Sequence, residues 1–333
     1  MSEAPFYSDV DEGPAGGRAT WLTTSDGVRI RVAVWNAAAT QGTVVLLPGR
    51  TEYIEKYGRA ATDLAQRGFA TVTVDWRGQG LADRALPDSM TGHVADFIDF
   101  QTDLDAVFAH ARTQGLPQPY YLMAHSMGGC IGLRALMRGL PVKAAAFSAP
   151  MWGILMAAWM RPVATAISSA ARWLKVDNRY APGTGPSTYV IDSPFVGNTL
   201  TTDAEMWDYM RRQAIAHPEL SLGGPSLRWL NTALAECHAL SLLPSPDYPT
   251  ICALGTAEKI VDVAPVHARM GIWPRGRLDL YPGSEHEVMM ERPDTRGRFF
   301  DEAAALFGQN RSGVGGAALR PGRWVGDFTS PTR

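Results

Sequence analysis

The chain alternates between short apolar runs rich in β-branched residues and longer stretches whose apolar residues recur every three or four positions. TWLTTSDGVRIRVAVWNA reads as two strands turned back on each other at Asp26-Gly27, a dipeptide suited to a tight hairpin. GTVVLLPG reads as a buried strand, EYIEKYGRAATDLAQRG as a helix ending at Gly68, and FATVTVDWRGQG as a strand running into a glycine-rich loop. HVADFIDFQTDLDAVFAHARTQG predicts a long amphipathic helix with Val94, Phe97, Ile98, Leu104, Val107 and Phe108 toward one face. A strand over PYYLMA, a helix from Gly128 to Arg138 and a strand over KAAAFSAP follow. Strand and helix at this rhythm predict a mostly parallel sheet covered by helices on both faces, an α/β fold.

After Pro150 the rhythm breaks. Residues 151–246 are rich in Trp and Met and predict helices and loops, with no buried strand. Alternation resumes with the strand PTICALG, a helix near APVHARMG, the strand GRLDLYPG and a helix near TRGRFFDEAAALF. The expected organisation is one core, residues 20–150 and 247–308, interrupted by a helical insertion at 151–246. A loose arm is expected over 1–19 and a loose tail over 309–333, where Gly, Ser and Pro dominate.

Composition narrows the function. With 46% hydrophobic residues the chain can bury a large core, and a formal charge of −2 argues against bulk electrostatic binding of nucleic acid. Cys130, Cys237 and Cys252 lack the spacing of a metal site or disulfide frame, which points to a reducing, cytoplasmic setting. The acidic N-terminal stretch has no apolar segment of the kind a secretory signal needs. The longest apolar run, residues 151–160, is too short to span a bilayer, so peripheral contact with a membrane is the contact left open.

The chemistry centres on Ala124-His125-Ser126-Met127-Gly128, placed between a predicted strand and a predicted helix. A sharp strand-to-helix turn exposes a serine Oγ and requires small residues two before and two after it, here Ala124 and Gly128. The N–H of Met127, in the first turn of the helix, is placed to bond a developing oxyanion. A helix-capping serine in an ordinary turn is the bland alternative.

In LLPGRTEYIEKYGRAATDLAQRGFATVTVDWRGQGLADR and AHSMGG the chain resembles the α/β-hydrolase superfamily, and within it the lysophospholipase and monoacylglycerol-lipase-like branch of serine aminopeptidase S33 type. The resemblance covers about residues 20–308. It implies a serine ester hydrolase with no cofactor or metal, a small-molecule acyl ester as substrate, and a helical cap inserted over the serine.

In that fold the nucleophile, acid and histidine follow in chain order. His286, in the loop YPGSEHEVMMERP, takes the place of the base, whereas His267 falls within a helical pattern. Glu258, in GTAEKIVD, takes the place the family gives to aspartate, and Asp262 is its rival. The second oxyanion donor is expected from the backbone N–H of Arg50, in a Pro-Gly-Arg segment where relatives often show His-Gly-X. The Arg50 side chain is open to two readings, contact with an anionic or polar head group and a salt bridge to Glu52 or Glu55. DWRGQG reads as structural support.

Trp152, Met156 and Trp159 are candidates to line an acyl pocket, against the alternative that they pack the insertion onto the core. An interfacial helix over the same apolar run is a third reading, weakened by Pro162. Rival functions are a serine peptidase or amidase on the same fold and a non-catalytic binding protein.

Overall fold

A computed structural model describes residues 2–156 and 176–312. Nine strands form one sheet in the order β1-β2-β3-β5-β4-β6-β7-β8-β9. They are β1 (Ser2–Ala4), β2 (Arg18–Thr23), β3 (Arg29–Trp35), β4 (Thr43–Leu47), β5 (Ala70–Asp75), β6 (Tyr120–His125), β7 (Ala145–Ser148), β8 (Thr250–Gly255) and β9 (Gly276–Tyr281). From β5 across to β9 every neighbouring pair is parallel, and β1, β2 and β3 join antiparallel at the other edge. The β2–β3 hairpin turns where Asp26-Gly27 predicts it, with Gly27 at φ +88°.

Alternation along the strands divides the core in two. Val45, Leu47, Val72, Val74, Leu122 and Ala124 face one side with residues of α3 (Asp99–Thr113) and α4 (Ser126–Met137). Val44, Leu46, Tyr121 and Met123 face the other, against α2 (Gly58–Gln66) and the last helix, Pro293–Gln309. Burying side chains such as Phe100, Leu104 and Val107 of α3 contributes about 1.5–3 kcal/mol each. This helix begins at Asp99, later than the sequence pattern suggests, and Ile98 is exposed because it precedes the first turn.

Two other expectations change. Residues 1–19 are not a loose arm from Ser2 onward: β1 pairs with β2, and α1 (Ser8–Asp11) packs on the body of the protein. The Asp11 carbonyl accepts the Tyr209 hydroxyl at 2.6 Å, and Ala4 is buried. The tail expected from 309 lies, beyond Ser312, outside the described residues.

Among the described residues, the chain between β7 and β8 carries α5 (Tyr189–Asp192), α6 (Ala204–Ala216) and α7 (Leu227–Ser241), and no named strand. Side chains cap two of these helices: Asp203 accepts from the N–H groups of Glu205 and Met206, and Ser226 from that of Trp229. After β8 come α8 (Val263–Gly271), then β9 and α9 (Pro293–Gln309). The chain leaves β4 toward β5 on one side and returns to β6 on the other. That reversal opens a crevice at the carboxyl ends of the strands, where α/β sheets bind ligands. Among the described residues, no helix is long and apolar enough to cross a membrane.

Candidate active site

Ser126 stands at the junction of β6 and α4 with φ +50°, a left-handed conformation that costs a non-glycine residue about 1–2 kcal/mol. Close packing enforces the turn. A Cβ on Gly128 would stand 2.3 Å from the Leu47 carbonyl oxygen, and one on Gly129 would stand 2.5 Å from Pro150 Cβ. The small residues after the serine are therefore demanded by the backbone of β4 and by Pro150.

Three loops at the carboxyl edge of the sheet meet at this serine. His286, beyond β9, places Nε2 2.9 Å from Ser126 Oγ. Its Nδ1 lies 2.7 Å from Glu258 Oε2, in the loop after β8. The other Glu258 oxygen accepts the N–H groups of Ile260 at 2.6 Å and Val261 at 3.1 Å. Burial would raise the Glu258 carboxyl, but His286 and these two N–H groups hold it below the ordinary range. Asp262, the rival acid, instead caps α8 by accepting the Ala264 N–H at 3.1 Å.

The loop after β4 lies against the serine, since a Cβ on Gly49 would come within 3.1 Å of Ser126 Cβ. Its shape is fixed by side chains. Glu52 Oε2 accepts the Gly49 N–H and the Tyr57 hydroxyl. Gln79 donates to the Gly49 carbonyl at 3.0 Å and accepts the Thr51 N–H at 3.3 Å. These contacts hold the N–H groups on either side of Arg50, in a loop strained at Thr51 with φ +66°. Gln79 is the last side chain of the DWRGQG segment before Gly80, so the support read there has a concrete target.

Behind the histidine lies a buried charge cluster that the sequence does not announce. Lys56 Nζ donates to Glu52 Oε1 at 2.7 Å and to Glu287 Oε1 at 2.8 Å. Glu52, His125 and Glu287 hold ligand-type atoms within 4.8 Å of one another, but the Lys56 ammonium already supplies positive charge to both carboxylates. Neither salt bridge weighed for Arg50 forms, because Glu52 binds Lys56 and Glu55 binds Arg31 through two contacts of 2.8 Å.

His125 is buried beside Ser126 with its ring 4.8 Å from that of His286. Nδ1 donates to the Ser148 carbonyl at 3.0 Å, leaving Nε2 unprotonated. Burial above all pushes its pKa down to about 3, with His286 and Lys56 adding to the effect and Glu52 opposing it. A histidine that folds neutral stabilises the protein above its unfolded value and loses that contribution as the pH falls toward the folded one. Between about pH 6.5 and 3, this ring is expected to cost about 1.4 kcal/mol of stability per pH unit. His125→Asn keeps a donor for Ser148 but takes up no proton, so its acid slope should be shallower by that amount. Urea unfolding of both proteins from about pH 7 to 4 measures it. Equal slopes would assign the acid sensitivity to other groups.

A cavity of about 360 Å³ opens beside Ser126 and His286. Its wall includes Tyr53, Tyr189, Val190, Leu200, Met210 and Ile260, drawn from stretches far apart in the chain. The pocket residues read from sequence fare differently. Trp152 packs in the core, with its indole N–H donating to the Gly129 carbonyl at 3.1 Å and its ring stacked on Trp273. Met156 is half-buried and not part of the cavity wall, and Trp159 lies outside the described residues.

The comparisons with known proteins agree with this architecture. The profile of the family described as "Serine aminopeptidase, S33" matches residues 38–293. Lysophospholipase L2 of Escherichia coli is 30% identical over 311 residues, covering 88% of each chain. The probable lysophospholipase L2 of Haemophilus influenzae is 26% identical over 78% of this chain and 81% of its own. A soluble variant of monoglyceride lipase from Saccharomyces cerevisiae superposes with a TM-score of 0.69 at 19% identity, covering 93% of this chain and 100% of that one. A matching profile over most of the length, a relative at that identity and a shared fold lead to one conclusion: the chain is a serine hydrolase of the α/β-hydrolase fold and belongs to the serine aminopeptidase S33 family.

Proposed function

We propose that this enzyme hydrolyses the acyl ester of a monoacyl lipid, a lysophospholipid in the first place, through an acyl-enzyme on Ser126. The carrying observation is the hydrogen-bonded chain Ser126–His286–Glu258 at the wall of a largely apolar cavity. His286 Nε2 takes the proton of Ser126 Oγ as that oxygen attacks the ester carbonyl. The backbone N–H groups of Met127 and Arg50 hold the oxyanion, and Glu258 steadies the imidazolium. His286 returns the proton to the departing glycerol oxygen. Water, deprotonated by the same imidazole, then releases the fatty acid.

Residues 151–246 act as the cap in this reading. Tyr189 from α5 and Met210 from α6 already belong to the cavity wall. Exposed Leu155, Ile191 and Val196 in the same stretch suit an enzyme that meets its substrate at a lipid surface. An aminopeptidase reading would want an acid facing the α-ammonium, yet Glu52 and Glu287 in the cavity wall each bind the Lys56 ammonium.

The test is fatty-acid release from monoacyl lipids of graded chain length, beside p-nitrophenyl esters and aminoacyl p-nitroanilides. Turnover of the lipids with a defined chain-length optimum is expected. Preference for the anilides would move the enzyme to the peptidases, and no turnover of any of them by folded protein would remove the hydrolytic reading.

A further inference from the structure

Among the described residues no acidic group pairs with the Arg50 guanidinium. Two contacts hold it: Nη1 donates to the Gly223 carbonyl at 2.9 Å, and the guanidinium lies 5.6 Å from the centroid of the Trp229 ring. Gly92 clears its space, since a Cβ there would stand 3.0 Å from Nη1. The neighbouring cation in the cavity wall, Lys56, has two carboxylates. Burial alone draws Arg50 down to about 10, so it remains charged at neutral pH.

Arg50 is half-buried, and an ionised group drawn largely out of water without a counter-charge is costly, so proteins usually pair such groups. Where the protein supplies no partner, a ligand that brings one gains what the apo protein forgoes. The ligand chemistry is set by the guanidinium, whose planar fork matches phosphate oxygens and which stays protonated beside an ester-cleaving histidine. Position is compatible with this, since Arg50 shares the cavity wall with Ser126 and His286, while its guanidinium rests against Gly223 and Trp229.

We propose that the Arg50 guanidinium binds the phosphate of a lysophospholipid, making the enzyme prefer phosphate-bearing monoacyl lipids to neutral monoacylglycerols. The proposal rests on the ester-hydrolase reading above and narrows its substrate class. The same charge repels the α-ammonium of a peptide.

The experiment compares kcat/KM for 1-lauroyl-glycerol 3-phosphate and 1-lauroylglycerol in wild type, Arg50→Lys and Arg50→Gln. Wild type should favour the phosphate lipid. Arg50→Gln should lose about 10- to 100-fold on it, chiefly in KM, and distinctly less on the neutral lipid. Arg50→Lys should retain part of the preference. Equal losses on both lipids, or a wild type without preference, would overturn the proposal. So would a lowered unfolding temperature shared by both variants, which would make the side chain a brace for the 223 strap. Should wild type cleave p-nitrophenyl laurate but neither lipid, the substrate reading fails first. The anion site is then judged on glycerol 3-phosphate alone. Slower fluorophosphonate labelling of wild type but not of Arg50→Gln upholds it, and no protection in either overturns it.

Discussion

Ser126→Ala is expected to lower kcat for p-nitrophenyl butyrate by about 10⁴- to 10⁶-fold, leaving only what the oxyanion donors and binding contribute. The Ser126 hydroxyl lies 2.9 Å from His286 Nε2, the base placed to accept its proton, and its loss would remove the acyl-enzyme altogether. Alanine is the informative replacement. Ser126 sits at φ +50°, where glycine would relax the turn and change the position of the Met127 N–H, while alanine keeps a Cβ and the same strain. Unfolding temperature should therefore stay close to wild type, and burst titration should fall to zero. Activity persisting in a mutant of confirmed purity would place the nucleophile elsewhere.

What could be read from the sequence follows from how local each signal is. The strand-serine-glycine turn is written in a few adjacent residues, because β4 and Pro150 leave no room for a side chain at 128 or 129. His286 could be found from its place after a strand, and Glu258 from its offset within GTAEKIVD. That Asp262 caps a helix shows only in the structure, where its Oδ1 accepts the Ala264 N–H. Long-range partners were not legible. β1 is three residues long, and its pairing with β2 depends on register rather than composition. Trp152 has the composition of a pocket residue, yet its indole finds the Gly129 carbonyl and Trp273. The cavity wall escaped because Tyr189, Leu200 and Ile260 converge from segments with no common periodicity. The Glu52–Lys56–Glu287 cluster escaped because charged residues are expected at the surface unless a partner is known, and Glu287 lies 231 positions from Lys56.

Glu258→Gln should reduce kcat by about 10³- to 10⁴-fold with little change in KM. In the wild type the carboxylate accepts a hydrogen bond from His286 Nδ1–H at 2.7 Å, which leaves Nε2 free to accept from Ser126. The Ile260 and Val261 N–H groups occupy Oε1, so in the variant the amide oxygen takes that place and the NH₂ turns toward Nδ1. The imidazole is then driven to carry its proton on Nε2, the tautomer that cannot act as a base. Since His286 and the two N–H groups hold the carboxyl below its ordinary range, Glu258 stays ionised through the neutral region of the wild type. Glu258→Asp should lie between the two, because the shorter side chain cannot reach Nδ1 and both N–H groups at once. Asp262→Asn is the control. It should keep most of its activity and lose at most about 1 kcal/mol as an altered N-cap of α8. Rates from single-turnover acylation separate the cases. A dead Asp262→Asn beside an active Glu258→Gln would transfer the role of the acid to Asp262.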